Sequence, residues 1–229
     1  MNSLIELKNI SKHYIANKKT IILRKINFKF KKGLIYSLVG PSGSGKSTLL
    51  NILSLIDKPS SGEILVNNDV IKYNDISNND QLRADKIGII YQQNNLLPDF
   101  NALENVYLAR LAIDNNKEKA ILEATKIIKK LGLSYRLSHF PSELSGGELQ
   151  RIAISRALIN KPEIILADEP TGSIDHSTAK EVFRIFYKLK SKNRLIIYAT
   201  HNRLFANMAD CKLEMIDGNI KTSNVRKQQ

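Results

Sequence analysis

The run Leu34-Ile35-Tyr36-Ser37-Leu38-Val39-Gly40-Pro41-Ser42-Gly43-Ser44-Gly45-Lys46-Ser47 decides the fold. Its first six residues are almost unbroken apolar, the pattern of a strand buried in a parallel sheet. The glycine-rich turn that follows matches the phosphate-loop pattern, and a helical pattern over 47–56 comes straight after it. The glycines let several backbone N–H groups point into one concavity, and the helix N-terminus also favours an anion. Lys46 places a positive charge on terminal phosphates, and the Ser47 hydroxyl can ligate Mg²⁺. A chance glycine-rich turn does not explain the complete pattern between strand and helix. Alone, the run implies only a bound nucleoside triphosphate.

Residues 4–30 hold alternations such as Ile26-Asn27-Phe28-Lys29-Phe30, which predict antiparallel strands. Pro59 and Ser60-Ser61-Gly62 end the helix, and 63–67 reads as a further strand. Between about 94 and 157 the pattern turns helical, over 103–113, 117–131 and 147–158. Apolar strands return at 163–167 and 194–198. The helix between them, 178–190, places Val182, Ile185, Phe186 and Leu189 on one face. Strand, helix, strand implies a right-handed crossover and a parallel sheet. The expected fold is α/β, one domain over 1–229. Residues 1–93 and 158–229 form its core, with an antiparallel N-terminal part, and 94–157 form a helical insertion.

The chain has 229 residues, 42% hydrophobic and 25% charged, which excludes a disordered or membrane-embedded polypeptide. Apolar runs such as Ile164-Ile165-Leu166-Ala167 fall far short of the roughly 20 residues that span a bilayer. The N-terminal stretch carries Glu6 and Lys8 and lacks a signal-peptide layout, so a cytoplasmic location is expected. Cys211 is the single cysteine and reads as a small core residue. The net charge of +13 is compatible with nucleic acid, with anionic lipid, or with a basic solvated surface. The lysines are spread along the chain without a block. That favours the solvated surface, with membrane proximity second.

Two further stretches carry chemistry. Ile164 to Ala167 run into Asp168-Glu169-Pro170, and the C-terminal end of a buried strand is where α/β proteins bind ligands. Adjacent acids are costly to bury without a cation, so a metal site is the natural explanation. Asp168 can hold Mg²⁺, and Glu169 can orient and deprotonate water. Leu144-Ser145-Gly146-Gly147-Glu148 opens a helix with the S-x-x-E capping box. Its two glycines are poor helix formers. They make sense if bare N–H groups must meet an anion at the helix end.

With these in place, the chain resembles the ATPase subunit of ABC transporters over nearly its whole length. The family's Walker A motif corresponds to 40–47, its signature to 144–148, and its Walker B to 164–168 followed by Glu169. Its Gln loop corresponds to Gln92, its D-loop to Asp175, and its switch histidine to His201. The resemblance implies a P-loop NTPase with a RecA-like core, binding ATP and Mg²⁺. It implies an ATP site of Tyr14, Gly40, Pro41, Ser42, Gly43, Ser44, Gly45, Lys46, Ser47 and Thr48, with Tyr14 stacking on adenine. Metal ligands would be Ser47, Gln92 and Asp168. Glu169 would be the general base, and His201, Lys46 and Gln92 would complete the catalytic set. Two copies would dimerise head to tail, Leu144, Ser145, Gly146, Gly147 and Glu148 of one facing ATP on the other. Asp175 would couple the two sites.

The segment Leu96-Leu97-Pro98-Asp99-Phe100-Asn101-Ala102-Leu103-Glu104-Asn105-Val106 is similar to that of lipoprotein-releasing ATPases. The resemblance implies integral-membrane permease partners, a peripheral position on the cytoplasmic face of the inner membrane, and no nucleic-acid partner. Macrolide or peptide exporter ATPases and the cell-division ATPase share much of the pattern and stay as alternatives. Leu149 departs from the Gln or Arg common after the signature, and Asn202 from the Asp common after the histidine. Neither departure removes a catalytic group.

Overall fold

The computed structural model describes residues 3–15 and 19–225. In chain order the elements are β1 (Ser3–Ile15), β2 (Lys19–Lys31), β3 (Ile35–Val39), α1 (Lys46–Leu53), β4 (Ser61–Val66) and β5 (Asp69–Val70). Then come α2 (Ile76–Lys86), β6 (Ile87–Ile90), α3 (Ala102–Leu111), α4 (Lys117–Lys130), α5 (Gly146–Leu158) and β7 (Ile164–Asp168). The chain ends with α6 (His176–Leu189), β8 (Leu195–Ala199), α7 (Arg203–Ala206), β9 (Cys211–Ile216) and β10 (Asn219–Val225). Two compact units divide it: residues 1–80 with 189–229, and residues 81–188.

In the first unit the alternation of β1 and β2 produces the expected antiparallel pair, extended to the order β2-β1-β4-β5. Register shifts along β1, as between Lys12 and His13, mark bulges that re-aim its side chains. Leu4, Ile5, Leu7, Ile10, Leu23 and Phe30 are the buried residues of β1 and β2 in this sheet, among others. β3 is apolar except for buried Ser37, and it has neighbours on both sides: it runs parallel to β8 and to β9. β9 returns through Asp217 and Gly218, both at positive φ, into the antiparallel β10. Cys211 is buried in β9, the core position expected for it.

In the second unit β6 and β7 pair in parallel. Helices α3, α4 and α5 share a core of Ala102, Val106, Ala120, Ala124, Ile128, Leu144 and Ile152. Leu149 packs against this core, so the departure after the signature fills an apolar slot. The buried stripe of α6 is Ala179, Val182, Phe183 and Phe186, while Ile185 and Leu189 are only half-buried. The stripe is thus rotated toward Phe183 from the expected face, and keeps the i, i+3, i+4, i+7 spacing of a helix.

Candidate functional site

The phosphate loop lies in the first unit. β3 is pinned by its neighbours and releases the chain at Gly40. Gly45 is the N-cap of α1 at φ 100°, without a side-chain cap. A Cβ there would lie 2.7 Å from the Leu23 side chain, so only glycine fits both the backbone and the space. The amides opening α1 therefore have no side-chain acceptor and form a seat for an anion. Lys46 is buried, and its Nζ donates to the Gly40 and Pro41 carbonyls, each at 2.9 Å. Ser44 is buried as well, and its Oγ has no hydrogen-bond partner among the described residues. An uncapped helix start, a buried lysine and an orphaned hydroxyl on one loop fit a polyphosphate. Ser47 is exposed and Thr48 half-buried on the first turn. Tyr14, next to last in β1, is 47% exposed, and its hydroxyl donates to Asp57.

His201 follows β8 in the same unit and is exposed. Beside it, the Asn202 side chain accepts from the Leu204 and Phe205 amides and caps α7. Asparagine caps as well as aspartate, so the exchange after the histidine keeps the local structure.

The second unit carries the other motif residues. β7 is buried from Ile164 to Ala167 and opens at half-buried Asp168 and Glu169. Glu169 has φ 44°, a left-handed conformation in a non-glycine residue directly before Pro170. Proline drives the preceding residue toward extended backbone, so this conformation stores about 1–3 kcal/mol that the surroundings must hold. The turn closes through the Gly172 amide donating to the Glu169 carbonyl at 2.9 Å. Gln92 reaches this turn: a Cβ on Gly172 would lie 3.1 Å from Gln92 Nε2. The structure thus brings Gln92 to the loop that bears Glu169.

Ser145 and Glu148 form the expected capping box on α5. Glu148 Oε2 accepts from the Ser145 amide at 2.9 Å, and Oε1 accepts from Arg136 Nε at 2.8 Å and Tyr135 at 3.3 Å. Burial pushes its pKa up, but the Ser145 amide, the Arg136 guanidinium and the Ser145 hydroxyl outweigh it and hold the carboxyl at about 2. Both oxygens are engaged inside the chain, whereas Ser145 and Gly146 are exposed. Gly147 has a separate steric reason: its Cβ would lie 2.4 Å from Thr178 Cγ2. Thr178 belongs to the start of α6, which Asp175 caps. The Asp175 carboxylate accepts from the hydroxyls and amides of Ser177 and Thr178. Those hydroxyls, then the Thr178 amide, hold Asp175 far below the usual carboxylate range.

Several structural contacts involve residues outside the sequence motifs. Arg156 on α5 donates to the Asn95 and Asn94 carbonyls at 2.6 and 2.7 Å, just past Gln92. Asn105 on α3 is buried and holds Leu97, Phe100 and Asn101 through their backbones. Arg136, which grips Glu148, carries no motif. The only sequence signal for any of these is polarity on an otherwise buried helix face, as at Asn105.

Comparison with known proteins agrees with this geometry. A family model described as ABC transporter matches residues 23–172. The chain is 45% identical over 224 residues to the lipoprotein-releasing system ATP-binding protein LolD of Rickettsia bellii, covering 97% of this chain and 99% of that one. It is 46% identical to the LolD protein of Ehrlichia canis, covering 95% and 96%. Among solved structures it superposes on the dimeric post-hydrolysis state of the ATP-binding cassette MJ0796, bound to ADP and Pi. The TM-score is 0.90 at 35% identity, over 98% of this chain and 100% of that one. A match to cbiO1 of Clostridium perfringens has a TM-score of 0.83 at 26% identity, over 99% and 90%. The phosphate loop, the strained acidic turn and the capped signature helix thus stand in a chain that belongs to the ABC transporter family, as an ATP-hydrolysing cassette.

Proposed function

We propose that this cassette powers release of lipoproteins from the inner membrane, as a head-to-tail homodimer attached to integral-membrane permease subunits on the cytoplasmic face. The observation that carries the reading is end-to-end similarity to lipoprotein-releasing ATP-binding proteins, 97% of this chain against 99% of the relative. Two findings are compatible with attachment through partners. No helix among the described residues is long and apolar enough to cross a membrane. Leu97 and Phe100 are exposed on the segment that Asn105 holds. The relatives named for lipoprotein release do not favour the macrolide, peptide or cell-division alternatives.

Each residue then has a role. The amides opening α1, with Lys46 and Ser44, bind the phosphates, and Tyr14 supports the adenine. Ser47, Asp168 and Gln92 supply oxygen donors of the kind Mg²⁺ prefers, and the ion would offset phosphate charge during phosphoryl transfer. Glu169 takes a proton from the attacking water, which His201 and Gln92 help to place. Ser145, Gly146 and Gly147 of the second copy offer a capped helix start with exposed backbone to the γ-phosphate. Glu148 shapes that helix start from inside, and Asp175 fixes the beginning of α6 beside it.

Reconstitution tests the proposal. The cassette, assembled with its neighbouring membrane subunits in proteoliposomes holding an acylated lipoprotein, should release it only with ATP. Glu169→Gln should retain ATP binding and lose at least about 100-fold in turnover, the scale of general-base removal, together with release. ATP turnover without lipoprotein release would overturn the assignment of the transported substrate. Wild-type turnover in Glu169→Gln would overturn that residue's role.

A further inference from the structure

Tyr14 is held from two sides within the first unit. Its hydroxyl donates to Asp57 Oδ2 at 2.9 Å. Lys12 Nζ stands 4.8 Å from the centroid of its ring, within reach of a cation–π contact. The same ammonium donates to Asp57 Oδ1 at 2.6 Å and to the Lys58 carbonyl at 2.8 Å. Lys12 is only 7% exposed, and a lysine so buried needs charge and hydrogen-bond partners of this kind. Asp57 is in turn fastened to α1, because its amide and that of Ile56 both donate to the Asn51 carbonyl at 3.1 Å. The chain of contacts therefore runs from the Tyr14 ring, through one carboxylate, to the helix whose first turn carries Lys46. Burial and then the bond to Asp57 raise the phenol's pKa, so it remains a protonated donor at neutral pH.

We infer that Lys12 and Asp57 are positioning residues for the nucleotide base. They lock the Tyr14 ring relative to the phosphate-binding end of α1 and leave its exposed side to the adenine. The inference rests on the reading of Tyr14 as the adenine platform. Its physical content is preorganisation: a ring already immobilised loses no rotamer freedom when a base stacks on it. The ammonium near the ring and the carboxylate at its hydroxyl hold two different parts of one side chain. Neither residue need touch the nucleotide.

The test compares magnesium ATP with magnesium tripolyphosphate, which has the phosphates and no base. Dissociation constants for both are measured on the full chain by calorimetry. Tyr14→Ala should lower the preference for ATP about tenfold, the scale of one base–aromatic stack. Lys12→Met and Tyr14→Phe should each lower it about threefold, with tripolyphosphate affinity unchanged within about twofold. Lys12→Arg, which keeps both the ion pair and the cation–π contact, should restore it. Lys12→Met and Tyr14→Phe with wild-type preference, while Tyr14→Ala loses it, would overturn the positioning role and leave the platform standing. Equal losses for both ligands in Lys12→Met would also overturn it, since the pair would then serve the fold alone. An unchanged preference in Tyr14→Ala would overturn the platform itself, and this inference with it.

Discussion

Glu148 shows how a residue inside a recognition motif can serve the protein rather than the ligand. Its carboxyl is held at about 2 by bonds that exist only in the folded chain. The unfolded chain takes up a proton near the ordinary value of 4.5, while the folded one does not until pH falls toward 2. Acid therefore favours the unfolded chain. The contribution is complete above about pH 4.5 and lost as pH falls through 2. Glu148→Gln should flatten the fall of stability between those values, as read by urea denaturation at a series of pH values. An unchanged slope would mean that the bonds to Ser145 and Arg136 do not persist in solution. Glu169 is the opposite case, a residue whose backbone is strained at the position where the proposed function places the general base.

At the scale of elements, the segment between Gln92 and α3 has no regular structure but does have a fixed shape. Arg156 holds the carbonyls of Asn94 and Asn95, and Asn105 satisfies Leu97, Phe100 and Asn101. Asn105→Ala should destabilise the protein by about 1–3 kcal/mol, because it removes the partner of part-buried backbone groups of Leu97, Phe100 and Asn101. Equilibrium urea unfolding reads this directly, and a loss below about 0.5 kcal/mol would show that water replaces the amide. These contacts were illegible in the sequence because their partners are set by tertiary packing. Arg156 meets carbonyls some sixty positions away, and Lys12 meets Asp57 across β1 and the end of α1. The strands and helices with strong apolar periods were legible, since period alone assigns a buried face. α2 was not, being almost wholly polar; its cues were the bond of Asp75 to the Asn78 amide and the cations Arg83 and Lys86 in its last turn. The β9–β10 hairpin was not read from the sequence, although Asp217-Gly218 is a turn pair, which the structure uses at positive φ. The strand, glycine turn and helix around 40–47 were legible because an apolar run and a helical pattern flank the glycines directly.

For the whole molecule, the proposed function needs two copies, and mixing tests that need. A chain with Lys46→Ala lacks a working phosphate loop, and a chain with Gly146→Asp carries a carboxylate where the partner's phosphates would lie. Each variant alone should lose nearly all turnover. In a head-to-tail pair, one site of the mixed dimer would combine the intact loop of one chain with the intact signature of the other. An equimolar mixture should therefore recover about a quarter of wild-type activity by random pairing, if sites act independently and each dimer is closed by tight ATP binding. A mixture as inactive as its parts would show that each site is built within one chain, or that both sites must be intact together. A double variant carrying both changes, mixed with wild type, separates these. It spoils both sites of the mixed dimer in the head-to-tail case and spares one if sites are intramolecular.

Gly147 and Thr178 have a bearing beyond the site itself. The space that one lacks is the space that the other's methyl occupies. Thirty-one positions apart, they behave as a single steric letter in the chain's alphabet. A variant library that randomises only one of them samples half a word, and scores each substitution against a neighbour fixed by chance.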